Sequence, residues 1–200
     1  MRALQCSRGD TLLFDNLSCT LQASETLHVR GANGSGKSSL LRMIAGLVQP
    51  DAGHVLWCGS DTRALGLEYG AALQYVGHHN GIKQDLTARE NLAFHQALTG
   101  TDDADSLSTA LDRVGLASCA ALPARRLSAG QRRRLALARL LLCHAPLWLL
   151  DEPLTSLDVD GRALFCGLIQ RHTDAGGIIV MATHEADIGA NGPHRELVLQ

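Results

Sequence analysis

The sequence predicts an α/β fold with a mostly parallel core sheet, and three observations point to it. Strand-like runs alternate with helical ones along most of the chain. A glycine-rich loop, Gly31 to Ser38, stands between an apolar run and a helical one. A second apolar run, Leu147 to Leu150, stops at two adjacent carboxylates, Asp151 and Glu152.

In chain order, Leu12 to Leu21 and Thr26 to Arg30 read as strands leading to the glycine-rich loop. A helix is expected from about Gly36 to Ala45, stopping at Gly46. Asp51-Ala52-Gly53 reads as a turn before a strand, His54 to Trp57, and Leu73 to Val76 as another short strand. Thr87-Ala88-Arg89-Glu90 has the spacing of a capping box, ahead of a helix carrying Leu92, Phe94 and Leu98. Asp102 to Val114 and Gln131 to Cys143 read as two further helices, so the middle of the chain is expected to be a helical insertion. The core then resumes with the strand at Leu147, a helix from about Val159 to Thr173 and a strand from Ile178 to Ala182. A chain of 200 residues suits one domain. Its core is expected over about 1–80 and 145–200, with the helical part over about 81–144.

Composition narrows the function. The net charge of −2 offers no basic field for nucleic acid. Arg132-Arg133-Arg134 is expected to be a solvated or docking face of a helix. No apolar run approaches the roughly 20 residues that span a bilayer, and the N-terminus lacks the apolar core of a secretory signal. The protein is therefore expected in the cytosol, reaching a membrane only by docking. Six scattered cysteines without a C-x-x-C pair are expected to be small buried hydrophobes rather than disulfides. The nine histidines show no metal-binding spacing, and His78 and His79 are expected on opposite faces of a strand, unable to chelate together.

The loop carries the first chemistry. Gly31-Ala32-Asn33-Gly34-Ser35-Gly36-Lys37-Ser38, continued by Ser39, follows a strand and opens a helix, as a phosphate-binding loop does. Its glycines let backbone N–H groups wrap phosphates, and the helix N-terminus adds positive dipole. Lys37 is placed to neutralise the β- and γ-phosphates of ATP, and Ser38 to offer its hydroxyl to Mg²⁺. Asp151, at a strand end, can hold the same Mg²⁺. Glu152, one residue on, can orient or deprotonate an attacking water.

Leu127-Ser128-Ala129-Gly130-Gln131, followed by Arg132, Arg133, Leu135, Ala136, Ala138 and Arg139, resembles the signature motif of ABC ATPases. It stands between the phosphate loop and Asp151-Glu152, in that family's order. The resemblance covers nearly the whole chain. It implies a P-loop NTPase fold with N-terminal antiparallel strands and a helical signature subdomain. It also implies that Ser128, Gly130 and Gln131 contact ATP held by a second ATPase subunit, so that two chains sandwich two nucleotides. Ser156-Leu157-Asp158 corresponds to the D-loop at that dimer interface, with Asp158 its acidic residue. His184 corresponds to the switch histidine that contacts the γ-phosphate.

Two positions depart from the family. An aromatic residue usually stacks on adenine upstream of the phosphate loop; Arg8 stands there instead, and a guanidinium plane can also stack on a base. The Q-loop usually carries glutamine; here Gln74-Tyr75-Val76-Gly77 leads into His78. A neutral imidazole can accept a hydrogen bond from metal-bound water, whereas a protonated one repels the metal, so activity is expected to fall in acid.

Histidine within Tyr75-Val76-Gly77-His78, with Gly81-Ile82-Lys83, Leu86-Thr87-Ala88-Arg89-Glu90-Asn91-Leu92 and Gly176-Gly177, resembles one branch of the family in particular. This is the branch of haem-exporter ATPases of cytochrome c maturation. The resemblance implies docking on the membrane proteins CcmB, CcmC and CcmD at the cytoplasmic face of a bacterial inner membrane. There ATP hydrolysis would serve haem export or release of the haem-loaded chaperone CcmE. With no C-x-x-C-H motif, direct haem binding is not expected. The alternatives are an ABC transporter for another substrate and a non-transport ABC ATPase of the iron–sulfur assembly type.

Overall fold

In the computed structural model residues 1–100, 104–184 and 193–200 are described, those of 104–106 by their backbone alone. Asp102, the expected start of the second middle helix, and its neighbour Asp103 lie outside the described residues. The first elements are β1 (Arg2–Arg8), β2 (Thr11–Leu17), β3 (Thr26–Arg30), α1 (Lys37–Ile44) and β4 (Ala52–His54). Then come β5 (Leu56–Trp57), β6 (Ser60–Asp61), α2 (Thr62–Leu65), α3 (Leu67–Ala71) and β7 (Leu73–Val76). The helical middle holds α4 (Ala88–Thr99), α5 (Ala104–Arg113) and α6 (Ala129–Ala138). Last come β8 (Leu147–Asp151), α7 (Val159–Asp174), β9 (Ile178–Ala182) and β10 (His194–Val198).

Five strands form one parallel sheet in the order β10-β3-β9-β8-β7. Parallel strands covered on both faces need near-continuous apolar runs. β8 has one, and all five of its residues are buried. A second, antiparallel sheet has the order β2-β1-β4, with Cys6 opposite Phe14 and Gln5 opposite Ala52. Here the structure corrects the expected turn at Asp51 to Gly53, because Ala52 and Gly53 already belong to β4. Gly53 has φ +85°, and a Cβ there would sit 2.2 Å from the Ala3 carbonyl oxygen, so only glycine lets β1 pass this close. β2 also ends at Leu17 rather than Leu21, while β1, β10, α2 and α3 had no counterpart in the expected elements.

Three apolar clusters hold these layers. One face of the parallel sheet packs on α1 and the antiparallel sheet through Leu4, Phe14, Leu40, Leu41, Leu149 and Val180. The other face packs on α7 through Trp148, Leu150, Met181, Phe165 and Ile169, joined by Ala136 and Leu137 of α6. In the helical middle, Leu92, Leu111, Leu116 and Leu135 form the third. α6 therefore serves two clusters at once. The capping box at α4 is present, with the Thr87 hydroxyl accepting from the Glu90 amide at 3.1 Å and the Thr87 amide donating to the Glu90 carboxylate at 2.7 Å.

Two further expectations are corrected. Of the six free cysteines only Cys6 is buried, and Cys58 is exposed. His78 and His79 follow the end of β7 instead of lying within it, both exposed, with ring centroids 5.5 Å apart edge to face. Among the described residues no group of three or more His, Cys, Asp or Glu could hold a metal by itself. Nor is any described helix long and apolar enough to cross a membrane.

Candidate nucleotide-binding and hydrolysis site

The carboxyl ends of four parallel strands converge, the edge where ligands bind in open α/β sheets. β3 runs into the glycine-rich loop, β7 toward His78, β8 into Asp151 and β9 toward His184. A cavity of about 520 Å³ opens there, walled by Lys37, Ser38, Ser39, Asp151, Glu152 and His184, with Asn33, Gly34 and Gly36 beneath. Arg8 and His78 also stand on its wall, so both departures from the family pattern lie at the site.

The loop is built to approach an anion. Gly31 has φ +147°, and a Cβ there would meet the Ser35 hydroxyl at 2.4 Å and the Leu199 carbonyl oxygen at 2.5 Å. Gly36 precedes α1 with φ +98° and gives no side-chain cap, which leaves the first N–H groups of the helix open. Lys37, 8% exposed, donates from Nζ to the carbonyls of Gly31 at 2.8 Å and Ala32 at 3.0 Å. Its ammonium is thus held over the loop.

Two buried oxygens lack partners. Asp151 is 1% exposed and its Oδ2 has no hydrogen bond; the Ser35 hydroxyl is equally orphaned. Orphaned buried polar atoms are costly unless a ligand completes them. One free carboxylate oxygen on a cavity that Ser38 also lines suits Mg²⁺, which takes few protein ligands and completes its shell with water and phosphate.

Glu152 has φ +50°, and its amide donates to the Ala182 carbonyl at 2.9 Å. Partial burial pushes its carboxyl above the ordinary range, a shift that His184 and Lys37 oppose. His184 Nε2 lies 3.0 Å from Asn33 Oδ1 and 3.3 Å from Glu152 Oε1. Both neighbours are acceptors, which assigns the Nε2 position a proton.

The signature residues stand elsewhere. Ser128 caps α6, its hydroxyl accepting from the Gln131 amide at 3.1 Å while its own amide donates to Gln131 Oε1 at 2.8 Å. Gly130 packs so closely on the loop before α7 that a Cβ would sit 2.8 Å from the Ser156 carbonyl. Asp158 caps α7 by accepting from the Gly161 amide at 2.9 Å and pairs with Arg134. None of Ser128, Gly130, Gln131 and Asp158 lines the cavity that holds Lys37.

The expected solvated face at Arg132 to Arg134 is corrected. Arg133 is 3% exposed, and burial pushes its guanidinium down to about 10. Nε donates to the Pro153 carbonyl at 3.0 Å, and Nη2 to the carbonyls of Asp151 at 2.9 Å and Glu152 at 2.8 Å. Nη1 donates to the Gly77 carbonyl and to Asn80 Oδ1, both at 3.0 Å. The signal that could have found it is helical periodicity: three consecutive residues fan over roughly 200° of a helix, too wide for one solvated face.

Comparison with known proteins places this geometry. The family model described as ABC transporter matches residues 14–155. The cytochrome c biogenesis ATP-binding export protein CcmA of Nitrosomonas europaea is 48% identical over 99% of this chain and 93% of its own length. Its counterpart in Nitrosospira multiformis is 50% identical over 91% of this chain and 89% of its own. Among solved structures, a dimeric post-hydrolysis state of the ATP-binding cassette MJ0796 bound to ADP and Pi superposes with TM-score 0.88. It covers 100% of this chain and 93% of that one at 23% identity, a likeness of fold.

Proposed function

Since this chain belongs to the ABC transporter family, and within it to the cytochrome c biogenesis ATP-binding export proteins, we propose that it hydrolyses ATP in composite sites shared by two copies. It is an ATP-binding and ATP-hydrolysing subunit serving cytochrome c maturation, and it acts as an ATPase dimer with membrane partners. One observation supports the assignment of parts: the phosphate loop, Asp151, Glu152 and His184 meet on a single cavity.

In this reading residues 31–39 cradle the phosphates, with Lys37 neutralising the β/γ pair. Ser38 and Asp151 would hold Mg²⁺, which supplies charge neutralisation of the phosphates when bound. Glu152 accepts a proton from water as the water oxygen attacks the γ-phosphorus. The bond from that phosphorus to the β–γ bridging oxygen breaks, releasing ADP and inorganic phosphate. His184, donating from Nε2, marks the γ-phosphate position and is oriented by Asn33. Arg8 stacks on adenine. Ser128, Gly130 and Gln131 present the N-terminus of α6 to the ATP of the partner subunit, and Asp158 lies at that dimer interface.

Residues 1–200 act as one ATPase domain, with about 81–144 as a helical subdomain that carries the signature. The surface from His78 to Leu86 receives the membrane partner. Lys83 lies 4.5 Å over the exposed Phe94 ring there, with exposed Leu98 on the same helix. We assign the partners as CcmB, with CcmC and CcmD, at the cytoplasmic face of the bacterial inner membrane. Affinity capture of the full chain from detergent-solubilised membranes tests this. Recovery of CcmB supports the reading, and a purely soluble complex overturns it.

A further inference from the structure

We infer that Arg133 is a positioning residue that ties the loop Gly77–Asn80 to the backbone of Glu152, so that a shift of the loop reaches the hydrolytic carboxylate through one side chain. The inference rests on the reading of Glu152 as the group that activates water.

The geometry is economical. A guanidinium has five N–H donors in a fixed fork. All five bonds of Arg133 go to two separate stretches of backbone and one side-chain amide, at 2.8–3.0 Å. On one side are three successive carbonyls, Asp151 to Pro153; on the other are Gly77 and Asn80, which bracket His78 and His79. None of these acceptors is a carboxylate. Burial costs the cation its hydration, a cost that the nearby Asp151 and Glu152 carboxylates oppose. An aliphatic residue would make none of these bonds, so the fork is what the position uses.

Glu152 supplies the reason. Its φ of +50° lies in a region that non-glycine residues keep only when their surroundings over-determine it. Three bonds do so: its amide donates to the Ala182 carbonyl at 2.9 Å, and its carbonyl accepts from Arg133 Nη2 at 2.8 Å and from the Thr155 amide at 3.2 Å. Without Arg133 that carbonyl keeps only the longer Thr155 bond, so the strained backbone is held less firmly and the carboxylate loses its fixed place on the cavity. Arg133 is itself fixed to α6, the helix that Ser128 caps. One guanidinium thus joins the signature helix, the loop proposed to meet the membrane partner, and the residue proposed to activate water.

The test is a kinetic split in the full chain, with Arg133→Lys, Arg133→Gln and Arg133→Ala each checked for folding by circular dichroism. The expected result is a fall in kcat of about 100-fold, the scale of an ångström-sized misplacement, with affinity for trinitrophenyl-ATP retained. Lysine should not restore the rate, since an ammonium cannot span the fork. Millimolar guanidinium should partly restore Arg133→Ala, whereas ammonium should not. Wild-type kcat in the Lys and Gln variants overturns the inference. Parallel losses of kcat and nucleotide affinity without rescue overturn it as well. If no Arg133 variant folds, Asn80→Ala removes one of its two bonds to the loop; a fall in kcat with nucleotide affinity retained supports the link, and unchanged kcat overturns it. Glu152→Gln assayed alongside separates the two readings. Turnover in that variant refutes the role of Glu152, whereas its inactivity beside fully active Arg133 variants refutes Arg133 alone.

Discussion

His184 Nε2 stands 3.3 Å from Glu152 Oε1 and within hydrogen-bond reach of Asn33, so the imidazole joins the end of β9 to the phosphate loop across the cavity. A contact this exposed contributes little to stability, so its role is sought in turnover. Glu152→Gln keeps the shape of the side chain and removes its basicity. Its kcat should fall by about 10²- to 10⁴-fold, the range for loss of a general base. ATP should still bind, and the dimer should persist with unhydrolysed nucleotide. Size-exclusion chromatography with quantification of retained ATP checks this, and wild-type turnover would refute the role.

Arg8 offers a test of nucleotide recognition independent of hydrolysis. Stacking of a guanidinium on a π-face contributes about 0.5–2 kcal/mol. Arg8→Ala should therefore weaken ATP binding by about 2- to 30-fold in an equilibrium titration, with little change in kcat at saturation. Unaltered affinity removes Arg8 from the adenine site.

His78 gives the acid side of the rate profile a distinctive signature. Protonation would add positive charge beside the expected Mg²⁺ position and oppose metal binding. Activity should fall as pH drops, and His78→Gln should move that acid limb to lower pH. What remains then is the limb of Glu152, whose carboxyl titrates above the ordinary carboxylate range because burial disfavours its charge. An acid limb identical in wild type and variant excludes His78 as its source.

His95 predicts a pH effect on stability alone. Its Nε2 donates to Gln74 Oε1 at 3.1 Å, and burial, aided by Arg139, pushes its imidazole from 6.5 down to about 4. Between those values the unfolded chain binds a proton that the folded chain refuses. Stability therefore falls as pH decreases from about 6.5 to about 4. His28 and His172 shift in the same direction through burial and add to the slope. Thermal melts of His95→Gln should show a shallower decline across this window, and a slope equal to wild type would remove His95 from the account.

The parts legible in the sequence were those written in contiguous residues. The phosphate loop, the apolar strand ending in Asp151, and the capping box at Thr87 depend on neighbours a few positions apart. β1 escaped because only Leu4 and Cys6 of its seven residues are buried, too short a pattern to mark a strand, and its partners, β2 and β4, impose the strand from outside. The apparent turn at Gly53 is shaped by Ala3, a contact between distant residues. Arg133 escaped for a related reason. A charged triplet suggests a wet surface, and only the meeting of β7, β8 and α6 supplies the carbonyls that make one of the three an interior residue.

Gly31 and Leu199 leave a consequence for how the protein is made. The carbonyl of Leu199 occupies the space a side chain at Gly31 would need, and the Leu199 amide donates to Arg30 at 2.8 Å. β10 lies alongside β3 in full register, fastened by Arg30 to Glu196 at 2.9 Å and Arg195 to Glu25 at 3.1 Å. The wall behind the phosphate loop therefore comes from residues synthesised long after the loop itself. A nascent chain that has not yet reached Leu199 carries every loop residue yet lacks that wall, so the loop gains its final packing only once β10 has been made.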